Sequence, residues 1–222
     1  MPLIKAAVVK SSLMELNLSD SKLNDRSLEE LAVVFYNNTT KLETLDLSYN
    51  ELLSSQGILR FFQALRSNTC LHTLNLENNN FGNASFRQIS THLKMNKGLR
   101  YLNLSYCNIR KEECIGLAEG LADNKTLRTL LLDHNPIMNE GAKAISKALQ
   151  RNKALFHIDL SVCDIGEETV DSIVIALGCN STLQSLVLRD NKLCGDSGEK
   201  LCSAILKNKS LTKVVLEKNS VK

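Results

Sequence analysis

The chain has no tryptophan, only two prolines and ten glycines, and 5% aromatic residues among its 222 positions. Scarcity of proline and glycine excludes collagen-like and low-complexity segments, and 43% hydrophobic content excludes a disordered chain. Seven cysteines are too few, and odd in number, for a disulfide scaffold. No apolar run approaches the roughly 20 residues that span a bilayer. The N-terminal stretch MPLIKAAVVKSSL is broken by Lys5 and lacks a secretory cleavage pattern. These absences point to a soluble protein of a reducing, cytoplasmic compartment with free thiols. Charge of one sign is missing too: 27 basic against 24 acidic residues leave a net +3.

Leucine is abundant, and it is periodic. The pattern L-x-x-L-x-L-x-x-N/C-x-L begins at Leu13, Leu42, Leu71, Leu99, Leu127, Leu155, Leu183 and Leu211, at spacings of 28 or 29 residues. Its L-x-L centre alternates with period two, which predicts a short strand with leucines inward and the intervening residue outward. An Asn or Cys then turns the chain: Asn50, Asn79, Cys107, Asn135, Cys163, Asn191 and Asn219, with Ser21 at this place in the first repeat. About fifteen residues of helical apolar spacing follow, as in Gly141–Leu149, Gly198–Leu206 and Cys114–Leu121. Asn139-Glu140 and Asp196-Ser197 resemble helix starts. Asn68, Asn96, Asn124, Asn152, Asn180 and Asn208 stand where helices should end, in the left-handed conformation that asparagine tolerates. Three of them open Asn-x-Ser/Thr sequons, which read as products of the repeat rather than glycan sites.

These eight segments resemble the leucine-rich repeat family, and the unit length is similar to its ribonuclease-inhibitor-like subfamily. The resemblance covers roughly residues 11–221. It implies a single α/β domain over 1–222: an open horseshoe solenoid of about eight repeats, with a parallel sheet on the concave side and helices on the convex side. Eight strands about 4.8 Å apart make a sheet about 35 Å long. Residues 1–10 read as the tail of a preceding helix, and the last repeat as stopping at its strand. The resemblance also implies a non-enzymatic module that binds another protein. Rival roles come from the same source: a regulator of a small GTPase akin to proteins that activate Ran, a ribonuclease inhibitor, the ligand-sensing part of an innate immune receptor, or an effector delivered by an intracellular bacterium into host cytoplasm. The net charge of +3 opposes steering to a basic nuclease, and the acidic tail of the Ran regulators is missing.

Catalytic signatures are absent. There is no phosphate-binding loop, dinucleotide fingerprint, H-E-x-x-H or C-x-x-C, so no cofactor is expected. His157, Asp159 and Ser161 share a strand face, but Asp stands between the other two, and Ser161 lies about 13 Å along the strand from His157. Asp133, His134, His157 and Asp159 hold metal-binding side chains in no metal-specific spacing. The outward columns are the better candidates, because an exposed parallel sheet is unusual and becomes a binding face in solenoids. They supply Asp46, Tyr49, Asn75, Glu77, Tyr101, Asn103, Tyr106, Leu131, Asp133, His134, His157, Asp159 and Arg189, with the tyrosines and histidines grouped near the centre. Charge is uneven: Arg60, Arg66, Arg87, Lys94, Lys97, Arg100, Arg110 and Lys111 face one acid, Glu77, over residues 60–111. That stretch reads mainly as a solvated helical face, with an acidic partner as the sharper alternative. A protein partner and a monomeric state are expected; nucleic acid is not.

Overall fold

The computed structural model describes residues 12–36, 40–50, 54–80 and 86–221. Each repeat leucine pair forms one three-residue strand: β1 Glu15–Asn17, β2 Thr44–Asp46, β3 Thr73–Asn75, β4 Tyr101–Asn103, β5 Thr129–Leu131, β6 His157–Asp159, β7 Ser185–Val187 and β9 Lys213–Val215. All eight pair in parallel in chain order, with equivalent repeat positions opposite one another. A small separate pair joins β8 Cys194–Gly195 to β10 Ser220–Val221. The last repeat therefore continues past its main strand into a second, short one. The expected helical tail at 1–10 lies outside the described residues.

Seven helices alternate with the strands among the described residues: α1 Asp25–Tyr36, α2 Ser55–Leu65, α3 Phe86–Met95, α4 Lys111–Asp123, α5 Met138–Arg151, α6 Val170–Cys179 and α7 Ser197–Lys207. Helix α2 starts at Ser54, whose hydroxyl accepts the Gly57 N–H at 3.2 Å. Helix α4 starts where Glu113 reaches back to accept the Arg110 N–H at 3.0 Å. Helix α7 starts after Asp196 as expected, although the Asp196 side chain makes no capping hydrogen bond, and α5 begins earlier than Asn139. The Asn139 side chain instead accepts the Gly166 N–H of the next repeat at 2.6 Å.

Between sheet and helices lies one continuous core. Leu45, Leu74, Leu102, Leu130 and Ile158 are wholly buried on the strands, and Phe35, Phe61, Leu117 and Ile145 meet them from the helices. Phe35 and Phe61 pack edge to face with ring centroids 5.6 Å apart. Helices need 8–10 Å between axes where strands need about 4.8 Å, so stacking repeats bends the solenoid with the sheet inside.

Two asparagine ladders bind repeat to repeat. In the first, the Asn135 amide donates to the Leu104 and Leu132 carbonyls at 2.8 and 2.9 Å, and its oxygen accepts the Cys107 and Ile109 N–H groups at 3.0 and 2.9 Å. Asn50, Asn79, Asn191 and Asn219 donate in the same way to the repeat before. Cys107 and Cys163 keep the donation, with Sγ 3.2 and 3.3 Å from the Leu76 and Leu132 carbonyls. Burial pushes both thiols up to about 12, so they are structural donors and not nucleophiles.

The second ladder corrects an expectation. The asparagines after the helices are extended rather than left-handed: Asn124, Asn152, Asn180 and Asn208 have φ of −67, −68, −95 and −74°. Each oxygen accepts the N–H groups two and three residues on; the Asn152, Asn180 and Asn208 amides each donate to two carbonyls of the preceding repeat, as Asn152 does to Leu121 and Asn124, and the Asn124 amide donates to Leu93. Local turn and cross-repeat bonds together outweigh the helix-ending conformation. Asn124 and Asn180 are buried with their amides so engaged, which leaves no acceptor nitrogen for a glycan on the folded chain.

Left-handed backbone falls elsewhere: on the residue before the first ladder in every repeat, and also at Lys22, Asn108, Met138 and Asp164. Asp20, Tyr49, Asn78, Tyr106, His134, Val162, Asp190 and Lys218 all have φ between 48 and 58°. There the chain leaves the sheet while its N–H still bonds the next repeat, as Tyr106 does to Asp133 at 3.1 Å. Val162 is β-branched and strained in this region. Val162→Asn is expected to raise stability by about 1 kcal/mol, read as a higher urea midpoint.

Candidate functional site

The sheet's uncovered face carries the outward columns in register. The first runs Glu15, Thr44, Thr73, Tyr101, Thr129, His157, Ser185, Lys213; the second runs Asn17, Asp46, Asn75, Asn103, Leu131, Asp159, Val187, Val215. The polar members of the second column are occupied by their own turns. Asp46 Oδ1 accepts the Ser48 N–H and hydroxyl at 2.9 and 2.6 Å, and Asp159 holds Ser161 likewise at 2.9 and 2.6 Å. Asn75 and Asn103 accept the Glu77 and Ser105 N–H groups at 3.1 and 2.9 Å. Ser161 thus donates to a carboxylate and is not activated by His157, which removes the geometry a triad requires.

Across the first half of this face the side chains are linked. Tyr49 donates its hydroxyl to Glu77 at 3.0 Å, and Asn103 donates to the other Glu77 oxygen at 3.1 Å. That hydrogen bond first, and the Glu77 charge second, hold the Tyr49 phenol above its ordinary value. Asn75 donates to Asp46 at 3.1 Å. Further along, Ser105 donates to Asp133, whose second oxygen lies 2.9 Å from His134 Nδ1. The His134 ring stacks on Tyr106 with centroids 4.0 Å apart and planes 12° from parallel.

The five rings grouped by sequence separate into two rows. Tyr49, Tyr106 and His134 stand on the left-handed turn, at the rim where strands exit, with Tyr49 48% and Tyr106 46% exposed. Tyr101 and His157 stand at the strand starts, two strands apart, with Thr129 between them. Both are half-buried. Burial raises the Tyr101 phenol and lowers the His157 imidazole, with Lys213 lowering it further and Asp159 opposing.

A groove of about 650 Å³ opens over the second half of the face. His134, His157, Asp159 and Arg189 line it, as the outward columns suggest, together with Val162, Val187, Lys213 and Val215. Its ion pairs, Arg189–Glu217 at 3.6 Å and Lys218–Asp190 at 3.4 Å, are exposed and contribute little to stability. Leu131, Val187 and Val215 replace the Asn/Asp of the second column on either side of Asp159, and Val187 and Val215 put apolar side chains into the largely polar lining of the groove. Among the described residues no group of three or more His, Cys, Asp or Glu side chains is arranged to hold a metal. No helix of the described residues is long and apolar enough to cross a membrane.

Profiles described as Leucine Rich repeat match residues 9–32, 38–61, 67–85, 123–146 and 179–202, and a second profile of that description matches 98–119. The chain belongs to the leucine-rich repeat family. No curated protein sequence matches this repeat protein. Among solved structures it is similar to a leiomodin-1 fragment titled as its actin-binding site 2, with a TM-score of 0.50 and 19% identity, covering 82% of this chain and 88% of that one. It is also similar to the C-terminal domain of tropomodulin from Caenorhabditis elegans, with a TM-score of 0.51 and 12% identity, covering 82% and 92%. At such identities the likeness is one of fold.

Residues that sequence reasoning left outside the site are those of the later rim, Val162, Asp190 and Lys218. Their signal was available: each stands one place before the turn Asn or Cys, as Tyr49 and Tyr106 do.

Proposed function

We propose that this leucine-rich repeat chain is a non-enzymatic interaction module that binds a protein partner across its concave sheet face. What carries the reading is the stacked Tyr106–His134 pair, exposed on a rim beside a groove that mixes charged groups with Val162, Val187 and Val215. Rigid aromatic groups at the border of a concavity are the usual anchors of protein interfaces. Their setting is pre-organised by the ladder beneath, so little ordering entropy opposes binding. The polar residues Asp46, Asn75, Asn103 and Asp159 shape the backbone, while Tyr49, Tyr101, Tyr106, Leu131, His134, His157 and Arg189 present their side chains to the partner. Glu77 and Asp133 hold the rings in place. The leiomodin fragment named for actin binding supports a protein as the class of partner and does not single out actin. The 28–29-residue strand-and-helix unit supports placing the chain in the ribonuclease-inhibitor-like subfamily. Seven free thiols, three of them buried, support a reducing compartment.

The test is crosslinking and affinity capture from a native lysate, comparing the chain with Tyr101→Ala/Tyr106→Ala. Loss of at least about tenfold in capture of the same protein is expected, because interface tyrosines each carry about 1–2 kcal/mol or more. The thermal melt should be unchanged, since Tyr106 is exposed and Tyr101 half-buried. Undiminished capture by the folded variant overturns the assignment to this face.

A further inference from the structure

The basic stretch of the sequence is divided by the fold. Arg60 is taken up by Glu29, and Lys111 lies 3.7 Å from Glu112. Lys94 and Lys97 are instead brought beside Lys125, Arg151 and Lys153 from the next two repeats. Together they line a groove of about 1010 Å³ on the solenoid edge where α3, α4 and α5 end. All of its lining residues precede the strands of their repeats, so it is separate from the concave site.

Asp123 is the one acid lining this groove, and it is already satisfied. Lys94 Nζ lies 2.7 Å from one of its oxygens and an Arg151 guanidinium nitrogen 2.6 Å from the other. The hydrogen bond from Lys94 comes first among the causes that hold its carboxyl below the usual range, and Lys125 adds to them. Lys153 is committed as well, donating to the Cys179 carbonyl at 2.8 Å and the Gln150 carbonyl at 3.2 Å. Lys97 and Lys125 are different. Both are exposed and form no hydrogen bond or ion pair among the described residues. Each follows a second-ladder asparagine, Asn96 or Asn124, whose oxygen fixes the backbone immediately beyond it. Two unpaired cations thus stand at equivalent places on adjacent repeats. Met95 and Ala122 supply apolar surface beside them, and Met95 is 45% exposed.

We propose that this edge groove docks an extended acidic polypeptide segment of a partner protein, with its carboxylates on Lys97 and Lys125 and an apolar side chain on Met95 and Ala122. Charge complementarity selects the sign: five cations stand against one neutralised acid. Ammonium groups accept either a carboxylate or a phosphate, and the apolar surface beside them favours a peptide over a nucleic acid. No aromatic ring lines the groove to stack a base, and the nearby Phe156 ring is already covered by the Arg128 guanidinium, 4.9 Å from its centroid. Successive carboxylates on one side of an extended strand repeat at about 6.7 Å, a spacing that flexible lysine stems on neighbouring rungs can follow.

The probe is a fluorescein-labelled peptide of about 12 residues, alternating Glu and Asp around two central leucines, titrated with the full chain at about 50 mM salt by fluorescence anisotropy. Binding is expected, weakened at least about tenfold by Lys97→Glu/Lys125→Glu and by raising salt to about 300 mM. Tyr101→Ala/Tyr106→Ala should bind this peptide as well as the unaltered chain does, so failure of the edge groove and failure of the concave-face reading are distinguishable. Should charge reversal lower the thermal melt, Lys97→Ser/Lys125→Ser serves instead, since Ser181 holds the equivalent place after Asn180. No binding at about 100 μM chain overturns the proposal. So does equal binding by a folded double variant. A single-stranded oligonucleotide of equal charge that binds more tightly than the peptide, and loses that binding in the double variant, also overturns it.

Discussion

Asn135→Ala is expected to destabilise the chain by about 3–4 kcal/mol, a large effect for the loss of one polar side chain. The residue is 1% exposed and serves five backbone groups: the Cys107 and Ile109 N–H groups, and the Leu104, Leu132 and Asp133 carbonyls. Alanine strands the two N–H groups and the Leu104 carbonyl, while Leu132 keeps the Cys163 thiol and Asp133 the Tyr106 N–H; each unsatisfied buried group costs about 1–3 kcal/mol before relaxation. The damage spans two repeats, so it should uncouple neighbours rather than loosen one turn. Asn135→Cys supplies the internal comparison. Cys107 and Cys163 show that a thiol still donates to the preceding repeat, with Sγ–O distances of 3.2 and 3.3 Å. A thiol accepts the two N–H groups poorly, so about half the loss is expected to remain. Urea unfolding of the two variants decides the matter, and a cost below about 1 kcal/mol for alanine would show that the ladder is not what joins the repeats.

Gly120→Ala should destabilise by about 2–3 kcal/mol, the reverse of what alanine ordinarily does inside a helix. A Cβ built on Gly120 of α4 would stand 2.3 Å from the Ser90 carbonyl oxygen of α3 and 2.7 Å from the Ser90 hydroxyl. The obstacle is backbone, so no side-chain rotation relieves it. Gly178 of α6 is the control, because a Cβ there meets nothing within 4 Å. Gly178→Ala is expected to stabilise by about 0.5–1 kcal/mol through lower unfolded-state entropy and better helix propensity. Thermal melts of the pair should therefore move in opposite directions. Movement in the same direction would mean that helix propensity, and not the approach of α3 to α4, governs Gly120.

Strand positions, their register, the inward leucines and the turn asparagines were all legible in the sequence. Each follows from a one-dimensional rule: period two within the strand and a fixed 28–29-residue spacing between strands. The outward columns were legible for the same reason, since register converts equal repeat positions into neighbours. What those outward side chains do was not legible. Asp46 and Asp159 look like surface acids in the sequence, and they prove to be bound to their own turns. The helix-ending asparagines look like left-handed caps, and they prove to be extended rungs of a second ladder. In both cases the deciding partner is a backbone group that comes into reach only once the chain turns or stacks.

Charge shows the same division. Residues 60–111 carry an excess of basic residues in the sequence, but a groove is made of cations drawn from 94 to 153, because stacking brings positions 28 residues apart side by side. Sequence alone determined the repeat, the parallel sheet and which residues face outward, since these depend on periodicity. Tertiary structure decided which outward groups remain free, because that depends on hydrogen bonds made between repeats.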